Sequence, residues 1–258
     1  HELLVKQGKM EPVILVLPDT FTSLGGNQFV DSPILGQWSS WLSQALKPAV
    51  FERYATNGKA ALVGKSSGGY GAVVNAMLTP GCWDAVACHS GDVGFEMMFR
   101  PTFGETLTHV AAHGGAAKYV SHVRAASKLS GPDFHTLMIC AMAASYDPRD
   151  PSSTNPLGIE LPVEARTGEV ITDAWARWLA YDPLVMIETQ SQGLRDLSAM
   201  WIDCGDRDQY NIQYGSRSFV DKLSQQGIAH TWEEFGGTHS GIDHRLDLSL
   251  PFLSNALN

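Results

Sequence analysis

The sequence predicts an α/β protein built on a doubly wound, mostly parallel sheet. Short, continuously apolar runs alternate along the chain with segments whose apolar residues recur at helical spacing. Runs that are apolar throughout are typical of strands buried on both faces of a parallel sheet, and strands that alternate with helices are typical of doubly wound folds. The length of 258 residues suffices for a large hydrophobic core, so we expect one domain over residues 1–258.

The composition narrows the partners that this protein can have. A formal net charge of −9 argues against binding to nucleic acid or to an anionic membrane surface. No apolar run approaches the roughly 18 residues that a membrane-spanning helix needs. A small-molecule substrate is therefore the expected partner, and the sequence is compatible with a homo-oligomer without requiring one.

The cysteines predict neither a metal site nor a cofactor. They show no C-x-x-C pair and no histidine spacing typical of zinc. Two of them end apolar runs, which favours buried free thiols. Free thiols fit a reducing compartment, so a cytoplasmic location is favoured. The cysteines are Cys82, Cys88, Cys140 and Cys204.

The first predicted strand is Val13–Leu17, a continuous apolar run bracketed by Pro12 and Pro18. The loop over residues 19–33 follows at the C-terminal end of this strand, and that edge of an open α/β sheet is where ligands bind. Asp19 in this loop is therefore a candidate for contacting a polar substrate group, although aspartates that stabilise turns are the commoner case.

A glycine-rich turn at residues 64–72, GKSSGGYGA, organises the rest of the chain. It follows the apolar run 60–63 and opens into a helical pattern. A strand, a sharp turn carrying a serine and then a helix are the context of a G-x-S-x-G nucleophile elbow. Gly64, Ser66 and Gly68 occupy its fixed positions, because the strained turn needs small neighbours. The alternative is a glycine-rich helix entrance that binds phosphate, but the P-loop and G-x-G-x-x-G patterns are both absent.

Three further strands follow, at Trp83–His89, Ala199–Asp203 and Thr231–Phe235. Between the first two of these, residues 94–197 form a long helical excursion, which we expect to lie over the active site as a cap-like insertion. Its aromatic and methionine side chains are expected mostly to pack in the core, and the alternative for a few of them is to line an acyl pocket. Outside the elbow, the predicted helices cover residues 38–54 (kinked at Pro48), 116–129, 133–144, 172–181, 183–192, 214–226 and 245–255.

Two later loops supply the partners that a serine nucleophile needs. A serine hydroxyl becomes reactive when a histidine takes its proton and a carboxylate orients that histidine. Asp208 lies just past the strand 199–203, and His239 lies just past the strand 231–235, in the chain order Ser, Asp, His that a nucleophile elbow requires. Asp206 is the competing carboxylate in the first of these loops.

Three other polar residues are predicted at the same edge of the sheet. Lys65 precedes Ser66 and is either a substrate contact or a solvated charge. His89 ends the strand next to the elbow strand and is a candidate pocket residue, although its chain position is wrong for the base. Asp92 lies in the following loop and, like Asp19, either contacts a polar substrate group or stabilises its own turn.

These segments together resemble the esterase D-like branch of the α/β-hydrolases, which includes S-formylglutathione hydrolases, feruloyl and enterochelin esterases and mycolyltransferases. The turn at 64–72 is similar to the G-H-S-M-G-G-x-G-A elbow of that branch, and residues 16–20, VLPDT, resemble its strand ending in Pro-Asp-Thr. Residues 204–208, CGDRD, are similar to its G-x-x-D acid loop, which favours Asp208 as the acid. Residues 236–239, GGTH, resemble its G-G-H loop with one inserted residue.

The resemblance implies a serine esterase of α/β-hydrolase fold. It would cleave carboxylic esters, or thioesters, through a triad of Ser66, His239 and Asp208 and an acyl-enzyme. The same acyl-enzyme would also serve an acyltransferase, and a catalytically inactive binding protein is the third alternative. Lys65 and Ser67 stand where the branch has His and Met, so no substrate preference carries over.

The resemblance also implies where the oxyanion hole lies. One amide comes from the residue after the nucleophile, Ser67. In this branch the other comes from a loop after a strand that precedes the Pro-Asp-Thr strand, and residues 1–11 are too short and polar to form that strand. We therefore expect N-terminal strands to be missing from this chain. The alternative is that the backbone N–H of Thr20 or Phe21 replaces the donor, so Thr20 is also a candidate pocket residue.

Overall fold

The chain begins with short elements that stand apart from the main sheet. The computed structural model describes residues 1–258. Helix α1 (Glu2–Lys6) is followed by strands β1 (Asp31–Ser32) and β2 (Gly36–Gln37), which form an antiparallel pair of their own. Helix α2 (Trp38–Trp41), a π-helical turn (Leu42–Leu46) and helix α3 (Lys47–Arg53) then follow one another directly. The irregularity predicted for this helix is therefore a π turn just before Pro48, whose missing N–H removes one hydrogen bond from the helical ladder.

The main sheet has four parallel strands in the order in which they occur along the chain. The strands are β3 (Ala61–Lys65), β4 (Ala85–His89), β5 (Ala199–Gly205) and β6 (Thr231–Phe235). The register aligns their C-terminal ends, since Lys65 lies opposite His89 and Gly205 lies opposite Phe235. The loops after β3, β4, β5 and β6 consequently meet at one edge of the sheet, as the sequence predicts.

Helices cover both faces of this sheet, which confirms the doubly wound architecture. Val86 and Cys88 of β4 point into the main core, which also contains residues of the helix after β3. Ala85 and Ala87 point the other way and pack against Leu253 of the C-terminal helix. The alternation arises because successive side chains of a strand point to opposite faces.

The remaining helices fall mostly where helical spacing predicts them. No helix is long and apolar enough to cross a membrane. The helices are α4 (Ser67–Leu78), α5 (Phe95–Met98), α6 (Phe103–Ala112), α7 (Ala116–Ala125), α8 (Gly131–Tyr146), α9 (Thr172–Leu179), α10 (Pro183–Met186), α11 (Gln192–Arg195), α12 (Ile212–Gln225) and α13 (Leu246–Leu257), with 3₁₀ turns at Arg100–Thr102 and Asp243–Arg245.

The helix predicted over residues 183–192 is wrong, because α10 ends at Met186 and α11 begins only at Gln192. Tertiary packing sets the position of α11. A side chain at Gly193 would place its Cβ 1.8 Å from the carbonyl oxygen of Ala76, so α11 lies directly on α4. The spacing of apolar residues in this segment fits one continuous helix and two short helices equally well, so the sequence could not distinguish them.

The excursion between β4 and β5, helices α5 to α11, contributes a large part of the core. Its rings surround Tyr146, whose centroid lies 5.2 Å from that of Phe95 and 5.6 Å from that of Trp178. Tyr70 of α4 joins the cluster at 6.0 Å from Tyr146. The predicted packing role of these aromatics is confirmed, and Met97 is an exposed exception. A cap-like role for residues 94–197 stays a prediction.

The strand predicted at Val13–Leu17 is not present, which corrects the sequence-based expectation. This segment makes no backbone hydrogen bonds to a strand, and Leu17 is 90% exposed. A mostly apolar cleft of about 780 Å³ separates it from β3, whose only strand neighbour is β4. An apolar run becomes a strand only where a neighbouring backbone accepts and donates its hydrogen bonds, and here the cleft lies between the run and β3.

Candidate active site

Ser66 lies at the sharp turn between β3 and α4 in a strained backbone conformation. Its φ of 57° and ψ of −129° are unusual for a residue with a side chain. Two hydrogen bonds hold the turn: the Ser66 N–H donates to the carbonyl of His89, and the Tyr70 N–H donates to the carbonyl of Ser66, both at 2.9 Å. A Cβ at Gly64 would lie 2.3 Å from the backbone of Gly68, so only glycine permits this approach of strand and helix. The turn has the geometry of a nucleophile elbow.

His239 and Asp208 extend from Ser66 in a hydrogen-bonded line. The Nε2 atom of His239 lies 3.0 Å from Ser66 Oγ, and its Nδ1 atom lies 2.7 Å from Asp208 Oδ2. Both residues are buried, and the Tyr210 ring and the imidazole pack edge to face, with 4.8 Å between their centroids. The other carboxylate oxygen of Asp208 accepts the Tyr210 N–H at 2.9 Å, and Gln209 Oε1 accepts the His239 N–H at 3.0 Å. With Nδ1 held by a carboxylate, Nε2 is free to accept the serine proton.

The competing carboxylate, Asp206, has a different set of contacts. It accepts the N–H of Gly237 at 2.9 Å and lies 3.5 Å from Arg207, with 41% of its side chain exposed. It therefore ties the loop after β5 to the loop after β6 and does not contact His239. The two loops also pack closely elsewhere, since a Cβ at Gly205 would lie 2.7 Å from the carbonyl oxygen of Gly237.

A second buried cluster lies beside Ser67, the first residue of α4. Gln28 Nε2 donates to Ser67 Oγ at 2.8 Å, and Asp92 Oδ2 lies 3.5 Å from the same hydroxyl. Asp92 is only 1% exposed, and its Oδ1 atom has no hydrogen-bond partner. Burial raises the pKa of Asp92 to about 7, although His239 and neighbouring polar side chains lower it. A carboxyl that changes charge near neutral pH thus lies directly behind the nucleophile elbow.

The other predicted pocket residues are not joined to Ser66 or His239 by any hydrogen bond. Asp19 accepts the N–H of Phe21 at 3.1 Å and so stabilises its own turn. The carbonyl of Thr20 accepts from Asn27 at 3.2 Å, and Thr20 lines the cleft beside β3. Lys65 is exposed and makes no ion pair.

His89 belongs to a separate buried network, so the expectation that it lines the substrate pocket is not met. Its Nδ1 lies 2.8 Å from Asp203 Oδ1, and its Nε2 lies 2.8 Å from Ser249 Oγ of α13. Arg245 donates to the other oxygen of Asp203 at 2.9 Å. Burial alone would raise the pKa of Asp203, but the hydrogen bonds from His89, Trp201 and Arg245 lower it overall. The reason is strand alternation: His89 shares the face of Ala85 and Ala87, which α13 covers.

The thiols and the metal-ligating side chains form no further site. All four cysteines are free, and three of them are buried, as the sequence predicts. Burial raises the pKa of Cys140 and of Cys204 to about 12, which keeps both thiols protonated. No group of three or more His, Cys, Asp or Glu side chains is arranged to hold a metal ion.

Sequence reasoning missed two residues of the cluster beside Ser67. Gln28 lies in the predicted loop 19–33, and Tyr146 ends α8, where a helical aromatic is expected to pack in the core. The Tyr146 hydroxyl donates to Gln28 Oε1 at 2.9 Å. Neither residue stands in a motif, so the pattern of the chain carries no signal for this contact.

Comparison with known proteins identifies the family. Residues 31–250 match the model of the Esterase family, described as Putative esterase. No curated protein matches this chain in sequence.

Several solved structures share the fold of this chain, although their sequence identity to it is low. A ferulic acid esterase has a TM-score of 0.59 at 17% identity, covering 100% of this chain and 76% of its own. An S-formylglutathione hydrolase from Agrobacterium tumefaciens has a TM-score of 0.53 at 16% identity, covering 90% of this chain and 63% of its own. Mycobacterium tuberculosis MPT51 (FbpC1) has a TM-score of 0.52 at 17% identity, covering 90% of this chain and 74% of its own.

The fold of these structures agrees with the parallel sheet and flanking helices described above, and the family match extends over most of the chain. Helices on both faces of the sheet and a serine at the sharp turn between strand β3 and helix α4 are features of the α/β-hydrolases. This protein therefore belongs to the Esterase family and is a carboxylic ester hydrolase of α/β-hydrolase fold.

Proposed function

We propose that this protein cleaves small-molecule carboxylic esters through a Ser66–His239–Asp208 triad and a covalent acyl-enzyme. The observation that carries the proposal is the unbroken line of two hydrogen bonds, 3.0 Å from Ser66 Oγ to His239 Nε2 and 2.7 Å from His239 Nδ1 to Asp208 Oδ2. The strained turn at Ser66 supports it, because nucleophile elbows hold their serine in this conformation.

The chemistry follows from which atom can accept the proton. Ser66 Oγ attacks the ester carbonyl carbon while His239 Nε2 takes the hydroxyl proton, and Asp208 stabilises the imidazolium that forms. The carbonyl oxygen becomes an oxyanion, which the backbone N–H of Ser67 binds at the N-terminus of α4. The C–O bond to the alcohol then breaks, and His239 returns the proton to the leaving alcohol.

The second half of the reaction uses the same groups. His239 removes a proton from a water molecule, the water oxygen attacks the acyl carbon, and the bond to Ser66 Oγ breaks. The products are the carboxylic acid and a regenerated serine hydroxyl. No metal or redox partner enters either step.

The test compares Ser66→Ala with the wild type on p-nitrophenyl acetate and with a fluorophosphonate probe. We expect the substitution to abolish both hydrolysis and labelling, since both require the same nucleophile. Ser152→Ala is the matched control, because Ser152 is an exposed loop serine far along the chain from the triad. Wild-type rates in the Ser66→Ala protein would contradict the proposal.

One further measurement separates hydrolysis from acyl transfer. Added alcohol or sugar acceptors compete with water for the acyl-enzyme, so the ratio of acid to new ester reports the partition. We expect the acid to dominate. A wild-type protein that neither hydrolyses esters nor reacts with the probe would instead indicate a binding protein.

A further inference from the structure

Three consecutive residues of the loop after β5 contact His239. Asp208 Oδ2 lies 2.7 Å from its Nδ1 atom, and Gln209 Oε1 accepts its backbone N–H at 3.0 Å. The Tyr210 ring packs against the imidazole, with 4.8 Å between the centroids and 72° between the ring planes. The first contact sets the tautomer of the imidazole and the second holds the main chain of His239. The ring contact has no part in the reaction steps given above.

The backbone and the ring of Tyr210 are both held in place. Its N–H donates to Asp208 Oδ1 at 2.9 Å, and the next residue, Asn211, has a left-handed φ of 62° and leads the chain into α12. The ring of His135, near the start of α8, packs against the Tyr210 ring with 5.8 Å between the centroids and 88° between the planes. The half-buried Tyr210 ring therefore has aromatic neighbours from α8 and from the triad, which restrict its rotation.

The Tyr210 ring brings no charge to the catalytic base. Burial, followed by the negative charges of Asp208 and Asp92, raises the pKa of the Tyr210 phenol. The phenol therefore stays protonated at neutral pH, and its contact with His239 is one between two packed rings. Ring pairs at a steep angle, with centroids about 4.5–7 Å apart, are a favoured arrangement, so this contact stabilises one orientation of the imidazole.

The hydrogen bonds at the two nitrogens of His239 do not both last through the proposed reaction. In the free enzyme the imidazole is held at both ends, by Asp208 at Nδ1 and by the Ser66 hydroxyl 3.0 Å from Nε2. Once Ser66 is acylated, its Oγ has no proton to donate to Nε2. The imidazole then keeps one hydrogen bond, at Nδ1, and its packing contact with Tyr210.

Deacylation requires the imidazole in the same position as acylation does. His239 Nε2 takes a proton from a water molecule while the water oxygen attacks the acyl carbon, and it returns this proton to Ser66 Oγ as the ester bond breaks. A displacement of a catalytic group by about 1 Å can lower a rate about 10²-fold. A side chain that holds the imidazole after the serine contact is lost therefore affects this half of the reaction most.

We propose that Tyr210 is a positioning residue for His239, and that its ring holds the imidazole in place for deacylation. This inference rests on the proposed function, since it requires an acyl-enzyme on Ser66. Asp208 orients the imidazole in both halves of the reaction, whereas the contribution of Tyr210 is greatest after acylation. His135 supports the Tyr210 ring from α8, so these two rings couple the excursion between β4 and β5 to the triad.

The experiment compares Tyr210→Leu with the wild type in single turnovers of p-nitrophenyl acetate, with the enzyme in excess. The release of p-nitrophenol gives the acylation rate constant, and the loss of acetylated Ser66, followed by mass spectrometry of quenched samples, gives the deacylation rate constant. Leucine is apolar but has no ring. We therefore expect deacylation to slow about tenfold and acylation to slow less than about threefold.

Steady-state kinetics give an independent readout of the same effect. Slower deacylation lowers kcat and KM by the same factor, because both depend on how much of the enzyme is acylated. The ratio kcat/KM, which reports acylation, should therefore stay nearly constant in Tyr210→Leu. A general loss of structure would lower kcat/KM instead.

Three further variants complete the test. Tyr210→Phe keeps the ring and should stay within about threefold of both wild-type rate constants. Tyr214→Leu removes a tyrosine of α12 that is 48% exposed, and as the matched control it should change neither rate constant. If Tyr210→Leu fails to fold, His135→Ala decides the question, because it removes the ring that packs on Tyr210. It should slow deacylation about threefold, and unchanged deacylation in this variant would overturn the inference.

The outcomes separate this inference from the proposed function. Deacylation that slows less than about threefold in Tyr210→Leu, beside an inactive Ser66→Ala protein, would overturn the inference alone. Equal losses in acylation and deacylation would also overturn it, because they indicate a general structural role. A Tyr210→Phe protein as slow as Tyr210→Leu would overturn the role of the ring. An active Ser66→Ala protein would overturn the proposed function itself.

Discussion

Replacing Asp92 by asparagine tests the electrostatics behind the nucleophile elbow. Asp92 is buried, its Oδ1 atom has no partner, and burial raises its pKa from 3.8 to about 7. Asparagine has almost the same shape but cannot ionise. The difference in unfolding free energy between the variant and the wild type should therefore depend on pH in a way that reports this one group.

The sign follows from where the proton is held. The folded protein keeps the Asp92 proton up to about pH 7, whereas the unfolded chain releases it near pH 4. The stabilising contribution of the protonated carboxyl is complete below about pH 4 and is lost as pH rises through about 7, at about 1.4 kcal/mol per pH unit. Between pH 5 and pH 8 the Asp92→Asn protein should gain about 2.5 kcal/mol relative to the wild type.

Urea unfolding at several pH values, followed by circular dichroism, measures this difference. Asp221→Asn, which changes an exposed carboxyl on α12, is the control and should give a difference that is flat with pH. The asparagine also alters hydrogen bonds, which should shift the unfolding free energy of Asp92→Asn by about 1 kcal/mol at every pH. This constant shift does not change how the free-energy difference depends on pH. An Asp92→Asn difference that changes by less than about 0.5 kcal/mol over this range would refute the reasoning about a raised pKa.

Three further predictions address the elbow, the triad and the edge of the sheet. Gly64→Ala should destabilise the protein by about 1–3 kcal/mol in thermal melts, since its Cβ would meet the Gly68 backbone at 2.3 Å, whereas Gly68→Ala finds no atom within 4 Å and should be tolerated. Equal melting temperatures for the two variants would contradict this. Asp208→Asn should lower kcat by about 10⁴ while leaving the fold intact, as seen in circular dichroism, because His239 loses the group that fixes its tautomer; a loss under tenfold would exclude Asp208 from the triad. Strand β3 pairs only with β4, so the N–H of Leu62 points to β4 and that of Val63 points away from the sheet. The Val63 amide should therefore exchange with deuterium faster than the Leu62 amide. Equal protection of the two amides would mean that the outer edge of β3 is covered.

Local patterns were enough to predict most of the architecture. Strand β6 spans the predicted residues, and α12 and α13 differ from prediction by a few residues at their ends. Such elements are specified locally, since the hydrophobic period and the turn residues act over one or two turns. The steric requirement of the elbow is equally local, because Gly64 meets the backbone of Gly68, only four residues away.

Long-range contacts explain what the patterns did not predict. Gln28 and Ser67 are 39 residues apart in the chain, and Gln28 and Tyr146 are 118 apart. The local sequence around each of these residues does not require the other residues to be nearby. The two contacts of Gln28 exist only because the fold brings these segments together. His89 is a different case. Strand alternation places its side chain on the same face of β4 as Ala85 and Ala87, and this could be predicted from the sequence. Only the packing of α13 shows that this is the face with the buried hydrogen-bond network.

The sequence by itself determined the fold class, the position of the serine and the order of its candidate partners, because hydrophobic period, glycine sterics and loop order are properties of neighbouring residues. Tertiary structure decided that Asp208 rather than Asp206 contacts His239. The two carboxylates are only two residues apart in one loop, and the fold turns Asp208 toward His239 and Asp206 toward the Gly237 N–H. It also decided that Val13–Leu17 is not a strand. A strand depends on a partner backbone, and the availability of that partner is a property of the assembled fold.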